Sequence, residues 1–105
     1  MCGIVGRVNF RKNQINLENL KKATKSLHHR GPDDFGVWED DFCGFGHRRL
    51  SIIDLSKSGK QPMVSLDQRY VCVFNGEIYN YLDLKNELSK DGKIWKSASD
   101  TEVLL

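Results

Sequence analysis

The chain opens Met1-Cys2-Gly3-Ile4-Val5-Gly6-Arg7-Val8-Asn9-Phe10, MCGIVGRVNF. From Gly3 to Phe10 the run is short, apolar and β-branched, which suits a buried strand. The residue in front of that strand is a cysteine, small enough for a methionine aminopeptidase to remove Met1 before it. Removal leaves a thiol and a free α-amine on one residue. An ordinary α-amine titrates at about 7.7–8.0 and a thiol at about 8.5, so the amine can act as the base that activates its own thiol. The competing reading is packing, because cysteine is among the residues most often buried. On MCG alone, packing is the somewhat stronger of the two.

Beyond the first strand the period changes. Leu17, Leu20, Thr24 and Leu27 recur at helical spacing, with Lys21, Lys22 and Lys25 between them. Asn16 is the natural N-cap, with Asn19 in the first turn. This helix is predicted to stop before HRGPD, where Gly31 and Pro32 break it. Two strands follow, FGVWED and CGFGHRRLSII, parted by the acidic turn Glu39 to Asp41. Residues 54–68 read as a long loop with Gly59 and Pro62, of a length that is often functional. YVCVFN, Tyr70 to Asn75, is a further strand ended by Gly76. YLDLKNELSKDG is a helix with a Tyr81, Leu84 and Leu88 stripe and Gly92 at its C-terminus. KIWKS, Lys93 to Ser97, reads as one more strand. Ser99 followed by Glu102 has the form of a capping box, which announces a helix over Val103, Leu104 and Leu105. A helix that short cannot hold itself in water, so the sequence is expected to be the front part of a longer chain.

Composition bounds the function. At 105 residues the chain is at most one domain, able to bury roughly 65% of its unfolded surface. With 39% hydrophobic and 29% charged residues it is globular rather than disordered. A net charge of +2 is too weak to imply nucleic acid or an anionic membrane. No apolar run approaches the roughly 20 residues that span a bilayer, and Arg7 and Arg11 interrupt any signal-peptide core. The expected location is cytoplasmic. Cys2, Cys43 and Cys72 are an odd count without a CxxC pair, which argues against a disulfide framework and a Cys-rich zinc site. His28, His29 and His47 lack metal-ligand spacing, and the carboxylates from Asp33 to Asp41 read as turn and surface charges, so no metal is expected.

Three further stretches carry chemistry. In FNGEIYN, Asn75-Gly76 sets a side-chain amide beside an unhindered backbone N–H, and two such donors make an oxyanion hole. Asn-Gly is also a common hairpin turn, which is the stronger reading in isolation. Arg49, at the edge of GHRRLSII, offers a planar fork for a carboxylate; the usual outcome for such a residue is a solvated arginine. Its neighbour Arg48 is predicted to face the other way. Asp100 can accept from an ammonium group or simply start a helix.

In order along the chain, MCGIVG, HRGPDD, GHRRLSIIDLS, QPM, FNGEIYNY and SDTEVLL resemble the class II glutamine amidotransferase domains, and within them the glutaminase domain of glutamine-hydrolysing asparagine synthetases. The resemblance covers Met1 to Leu105. It implies an α+β fold of the Ntn-hydrolase type, an αββα sandwich of antiparallel sheets, of which residues 1–105 carry the N-terminal portion. It implies Cys2 as the nucleophile once Met1 is gone, and Asn75 and Gly76 as the oxyanion hole. Arg49 is implied to hold the α-carboxylate of L-glutamine, and Asp100 with Glu77 its α-ammonium. Leu50, Ser51, Ile52 and Ile53 are implied to lend backbone to the pocket. No cofactor is expected in this segment; ATP and Mg belong to the synthetase domain that follows in cis in the full-length parent, which could form a homodimer. No phosphate-binding Gly-rich loop or pyrophosphatase-type motif stands in the sequence. The alternatives are a glutamine-binding remnant without turnover, a related amidotransferase serving another acceptor, and a structural domain with a chance N-terminal cysteine.

Overall fold

The computed structural model describes residues 1–12 and 14–105. Strands β1 (Gly3–Val8), β2 (Asp34–Glu39) and β3 (Cys43–Arg49) form an antiparallel sheet in the order β1-β3-β2. Helix α1 (Leu17–Ser26) packs across it. Strands β4 (Met63–Val64) and β5 (Val71–Cys72) pair antiparallel as a second, two-stranded sheet, and helix α2 (Tyr81–Lys90) follows. Short 3-10 turns span Lys57–Gly59 and Asp100–Leu104. The class is α+β with antiparallel sheets.

Helix α1 forms where the apolar spacing predicts it. Asn16 Oδ1 caps it by accepting from Asn19 N at 2.9 Å. Its inner face sets Leu20 and Thr24 against the glycines of β3. A Cβ at Gly44 would stand 3.0 Å from both Ile15 and Leu20, and one at Gly46 would overlap Thr24 Oγ1. Thr24 is fully buried, its hydroxyl donating to Leu20 O at 2.7 Å. Gly46→Ala is therefore expected to lower unfolding free energy by about 1–3 kcal/mol through overpacking. Urea titration checks it, and the double variant Gly46→Ala with Thr24→Ala should recover part of the loss.

Several elements differ from the sequence expectation, and where a strand stops early or fails to form, a side chain takes over a backbone partner. Strand β1 forms but is not buried. It is an edge strand, and Ile4 and Val8 are 40% and 60% exposed. The GHRRLSII strand stops at Arg49 rather than Ile53: Leu50 N meets Cys2 Sγ, and Ser51 N donates to Asp33 Oδ2 at 2.7 Å. In YVCVFN only Val71 and Cys72 join a ladder, because Phe74 N donates to Gln61 Oε1 at 2.6 Å. KIWKS is not a strand; Lys96 N and Ser97 N both donate to the Glu102 carboxylate. The long loop contains the Lys57–Gly59 turn and β4.

Helix α2 ends as expected at Gly92, whose φ is +86°. Gly92 N reaches Ser89 O and Lys93 N reaches Leu88 O, the paired bonds of a Schellman cap. No residue of α2 is buried. At the capping box only one half forms. Ser99 Oγ accepts from Thr101 N at 3.2 Å, while Glu102 reaches past it to Ser97 and Lys96.

That detour gives Glu102 a titration signature. Burial pushes its carboxyl up, but hydrogen bonds from Ser97 and Lys96 and the charge of Lys85 outweigh it, holding it below its ordinary 4.5. A depressed folded-state value contributes stability above the unfolded value, lost as pH falls through the folded one. Melting curves should show wild type more stable than Glu102→Gln at pH 7. The gap should shrink as pH drops below 4.5.

Candidate active site

The register of the first sheet explains how residue 2 meets residue 50. Gly3 pairs with Arg48, so the antiparallel ladder carries Cys2 alongside the end of β3. Its half-buried Sγ lies 3.4 Å from Leu50 N and 3.8 Å from Leu50 O. The HRGPDD loop braces this strand end. Arg48, buried on the side away from the cavity, donates to Gly31 O at 2.8 Å and stacks over Phe35. Asp33 receives Ser51 N on its carboxylate and donates its own N–H to Arg49 O.

A cavity of about 280 Å³ opens beside Cys2. Its wall brings together Cys2, Arg49, Leu50, Ile52, Ile53, Asn75, Gly76, Glu77 and Asp100 from segments far apart in sequence. Of the residues expected at the site, only Ser51 stands outside the wall. Met1 lines it too. With Met1 attached, the nitrogen of Cys2 is an amide and has no basic lone pair.

Arg49 is buried rather than solvated, and two of its groups are spoken for. Nη1 donates to Ser56 O at 2.9 Å and Nη2 to Asp54 O. Gly59 permits this, since a Cβ there would overlap Nη2. A guanidinium has five N–H donors, so the loop fixes the fork while leaving donors for a cavity ligand. Asp54 is a neighbour the sequence reading missed. Burial pushes its carboxyl up, but hydrogen bonds from Ser56 and Ala98 and the Arg49 charge hold it below the usual carboxylate value. Its ionised form balances the buried arginine.

On the opposite wall, Asn75, Gly76 and Glu77 are exposed at the rim. A Cβ added at Gly76 would stand 2.6 Å from Cζ of Phe74, so a larger residue there would force that ring to shift. Asp100 is buried, and its Oδ2 accepts from Ile78 N at 2.9 Å. Phe74 is held at both peptide groups. Gln61 Oε1 takes its N–H, and His47 Nε2 lies 3.3 Å from its oxygen. A carbonyl only accepts, so His47 carries its proton on Nε2. Burial, opposed by this hydrogen bond, lowers the His47 value below the ordinary 6.5, leaving the ring neutral at pH 7.

Gln61, Phe74, Tyr79, Ser99 and Thr101 complete the wall. None was picked out by residue chemistry. QPM was the one available signal for Gln61, and it carries no periodicity or charge that announces a site. Among the described residues no three His, Cys, Asp or Glu side chains converge as a metal site, and no helix is long and apolar enough to cross a membrane.

The Cys2 thiol, the Asn75-Gly76 pair, a guanidinium and a carboxylate line one cavity, and the chain belongs to the glutamine amidotransferase domain family, matched over residues 1–105. It is 45% identical over 108 residues to asparagine synthetase [glutamine-hydrolyzing] 1 of Bacillus subtilis, covering 100% of this chain and 17% of that protein. It is 42% identical to asparagine synthetase [glutamine-hydrolyzing] 3 of the same organism, with the same coverage. To asparagine synthetase B [glutamine-hydrolyzing] of Escherichia coli it is 36% identical, covering 100% of this chain and 19% of the relative. The chain thus spans under a fifth of the length of these three relatives.

Proposed function

We propose that this domain hydrolyses L-glutamine to glutamate and ammonia through Cys2. The Cys2 thiolate attacks the side-chain amide carbon, and the amide oxygen becomes an oxyanion that accepts from the Asn75 amide and the Gly76 N–H. The intermediate collapses by breaking the C–N bond. The nitrogen leaves as ammonia, taking the proton that the Cys2 α-amine received from the thiol. Water then cleaves the γ-glutamyl thioester to glutamate and regenerates the thiol. Arg49 engages the substrate α-carboxylate, Asp100 and Glu77 its α-ammonium, and Leu50 to Ile53 the backbone side of the pocket.

One observation carries this reading: Cys2, Arg49, Asn75-Gly76 and Asp100 share one cavity wall. A cavity of 280 Å³ also suits a free amino acid, lying just below the range of about 300–1,000 Å³ that holds drug-sized ligands. The two antiparallel sheets and α1 support an Ntn-hydrolase sandwich as the parent architecture. In the longer parent the ammonia would pass in cis to a synthetase domain, where ATP and Mg activate aspartate for amidation to asparagine. A homodimer of that parent and a cytoplasmic location complete the proposal. A glutamine-binding unit without turnover is the second reading, favoured by Met1 in the cavity wall.

Intact mass of the purified protein, paired with an ammonia-release assay, separates them. The first reading expects loss of Met1 and glutamine-dependent ammonia. Met1 in place, with glutamine binding and no ammonia, establishes the second.

A further inference from the structure

Gln61 uses both ends of its side chain on the two halves of the cavity. Its Oε1 accepts from Phe74 N at 2.6 Å, immediately before Asn75-Gly76. Its Nε2 donates to Thr101 Oγ1 at 3.2 Å, immediately after Asp100. The residue is only 6% exposed, and Thr101 2%. Its backbone is pinned as well, for a Cβ at Gly36 of β2 would overlap Gln61 O. The Asp100 carboxylate reaches the same segment at Ile78 N, beyond Gly76, so Gln61 ties it to the Asp100 turn on one side of Asn75-Gly76 and Asp100 on the other.

We infer that Gln61 is a positioning residue, a buried strut that fixes the Asn75-Gly76 donors relative to the Asp100 turn. For its catalytic consequence this rests on the glutaminase reading; the mechanical coupling does not. The reaction needs one substrate gripped at its α-carbon end by Asp100 while its amide oxygen meets Asn75 and Gly76. A misplacement of about 1 Å between such groups can cost on the order of 100-fold in rate. The amide is suited to this task because it accepts at one end and donates at the other without bringing charge beside Asp100. Glu at position 61 keeps the acceptor for Phe74, turns the Thr101 contact into one in which the hydroxyl donates, and brings a charge beside Asp100. Leu loses both hydrogen bonds. Thr101→Val removes the acceptor for Nε2 alone.

The test combines amide hydrogen exchange with glutaminase kinetics on the full chain, comparing wild type with Gln61→Leu, Gln61→Glu and Thr101→Val. Exchange is read at Phe74, bonded to Gln61, and at Ile78, bonded to Asp100 Oδ2. Gln61→Leu should lose about tenfold protection at both amides, in keeping with one lost hydrogen bond. Thr101→Val should keep protection at Phe74 and lose it at Ile78. Where wild type releases ammonia, kcat/KM should fall in the order wild type, Glu, Leu, by up to about 100-fold.

Unchanged exchange at Ile78 in both Gln61→Leu and Thr101→Val overturns the coupling, whether or not glutamine is hydrolysed. Altered exchange with kcat/KM within twofold of wild type overturns the positioning role. Should Gln61→Leu fail to fold, Thr101→Val carries both readouts. A wild type that releases no ammonia defeats the glutaminase reading instead, and the exchange pattern still decides the strut.

Discussion

Replacing Cys2 by alanine is expected to abolish ammonia release from glutamine, with a fall in kcat of at least about 10⁴-fold. The reason is chemical rather than architectural. Without the sulfur there is no thioester, and direct attack by water lacks the amine-thiol pair that activates the nucleophile. The fold should survive, because Sγ is half-buried and its polar contacts go only to the peptide of Leu50 at 3.4 and 3.8 Å. A melting temperature close to that of wild type makes the kinetic loss interpretable. Cys2→Ser should recover little, since a hydroxyl is a far weaker acid than a thiol and stays protonated beside an ordinary amine. An unchanged rate in Cys2→Ala would remove the nucleophile assignment altogether.

Asn75→Ala is expected to lower kcat by about 10²–10³-fold while leaving KM within a few-fold of wild type. An oxyanion donor acts where charge develops in the transition state, so its loss falls on the chemical step. The geometry makes this a clean substitution. Asn75 is exposed at the cavity rim, and the neighbouring Phe74 peptide stays tethered by Gln61 and His47. Gly76→Ala is a different kind of change, because its Cβ would meet the Phe74 ring at 2.6 and 2.8 Å and push that ring out of its place in the wall. It should depress both kcat and melting temperature. Steady-state kinetics on the two variants separates the effects; a rise in KM with kcat unchanged in Asn75→Ala would make Asn75 a ground-state binding residue.

Where a local rule acts on local residues, the sequence was enough. Asn16 capped α1, Gly92 took the positive φ that ends α2, and CGFGHRR formed the central strand. Strand ends were not legible, for a common physical cause. Leu50, Ser51, Phe74, Lys96 and Ser97 give their N–H groups to side chains distant in sequence or across a turn. Nothing in a β-branched run announces that a remote glutamine or glutamate will replace the neighbouring strand.

The site divides the same way. Cys2, Arg49, Asn75-Gly76 and Asp100 could be named as candidates because each bears a reactive or charged group, and the order of the family motifs, rather than any one residue, singled them out. Asp54, Gln61 and Thr101 could not, because their roles lie in what they hold. Asp54 balances the charge of Arg49, and Gln61 with Thr101 joins two segments of the wall. The HRGPDD motif, whose residues read only as the stop of a helix, braces the strand end whose Leu50 peptide meets the Cys2 sulfur.

The central claim is that the thiol of Cys2, freed of Met1, is the group that attacks a glutamine side chain. Peptide mass spectrometry after incubation with an electrophilic diazoketone analogue of glutamine tests it most directly. The account predicts one adduct, on an N-terminal peptide that begins with Cys2, suppressed by excess L-glutamine. Labelling of Cys43 or Cys72 in its place, or of a Cys2 still preceded by Met1, would contradict it.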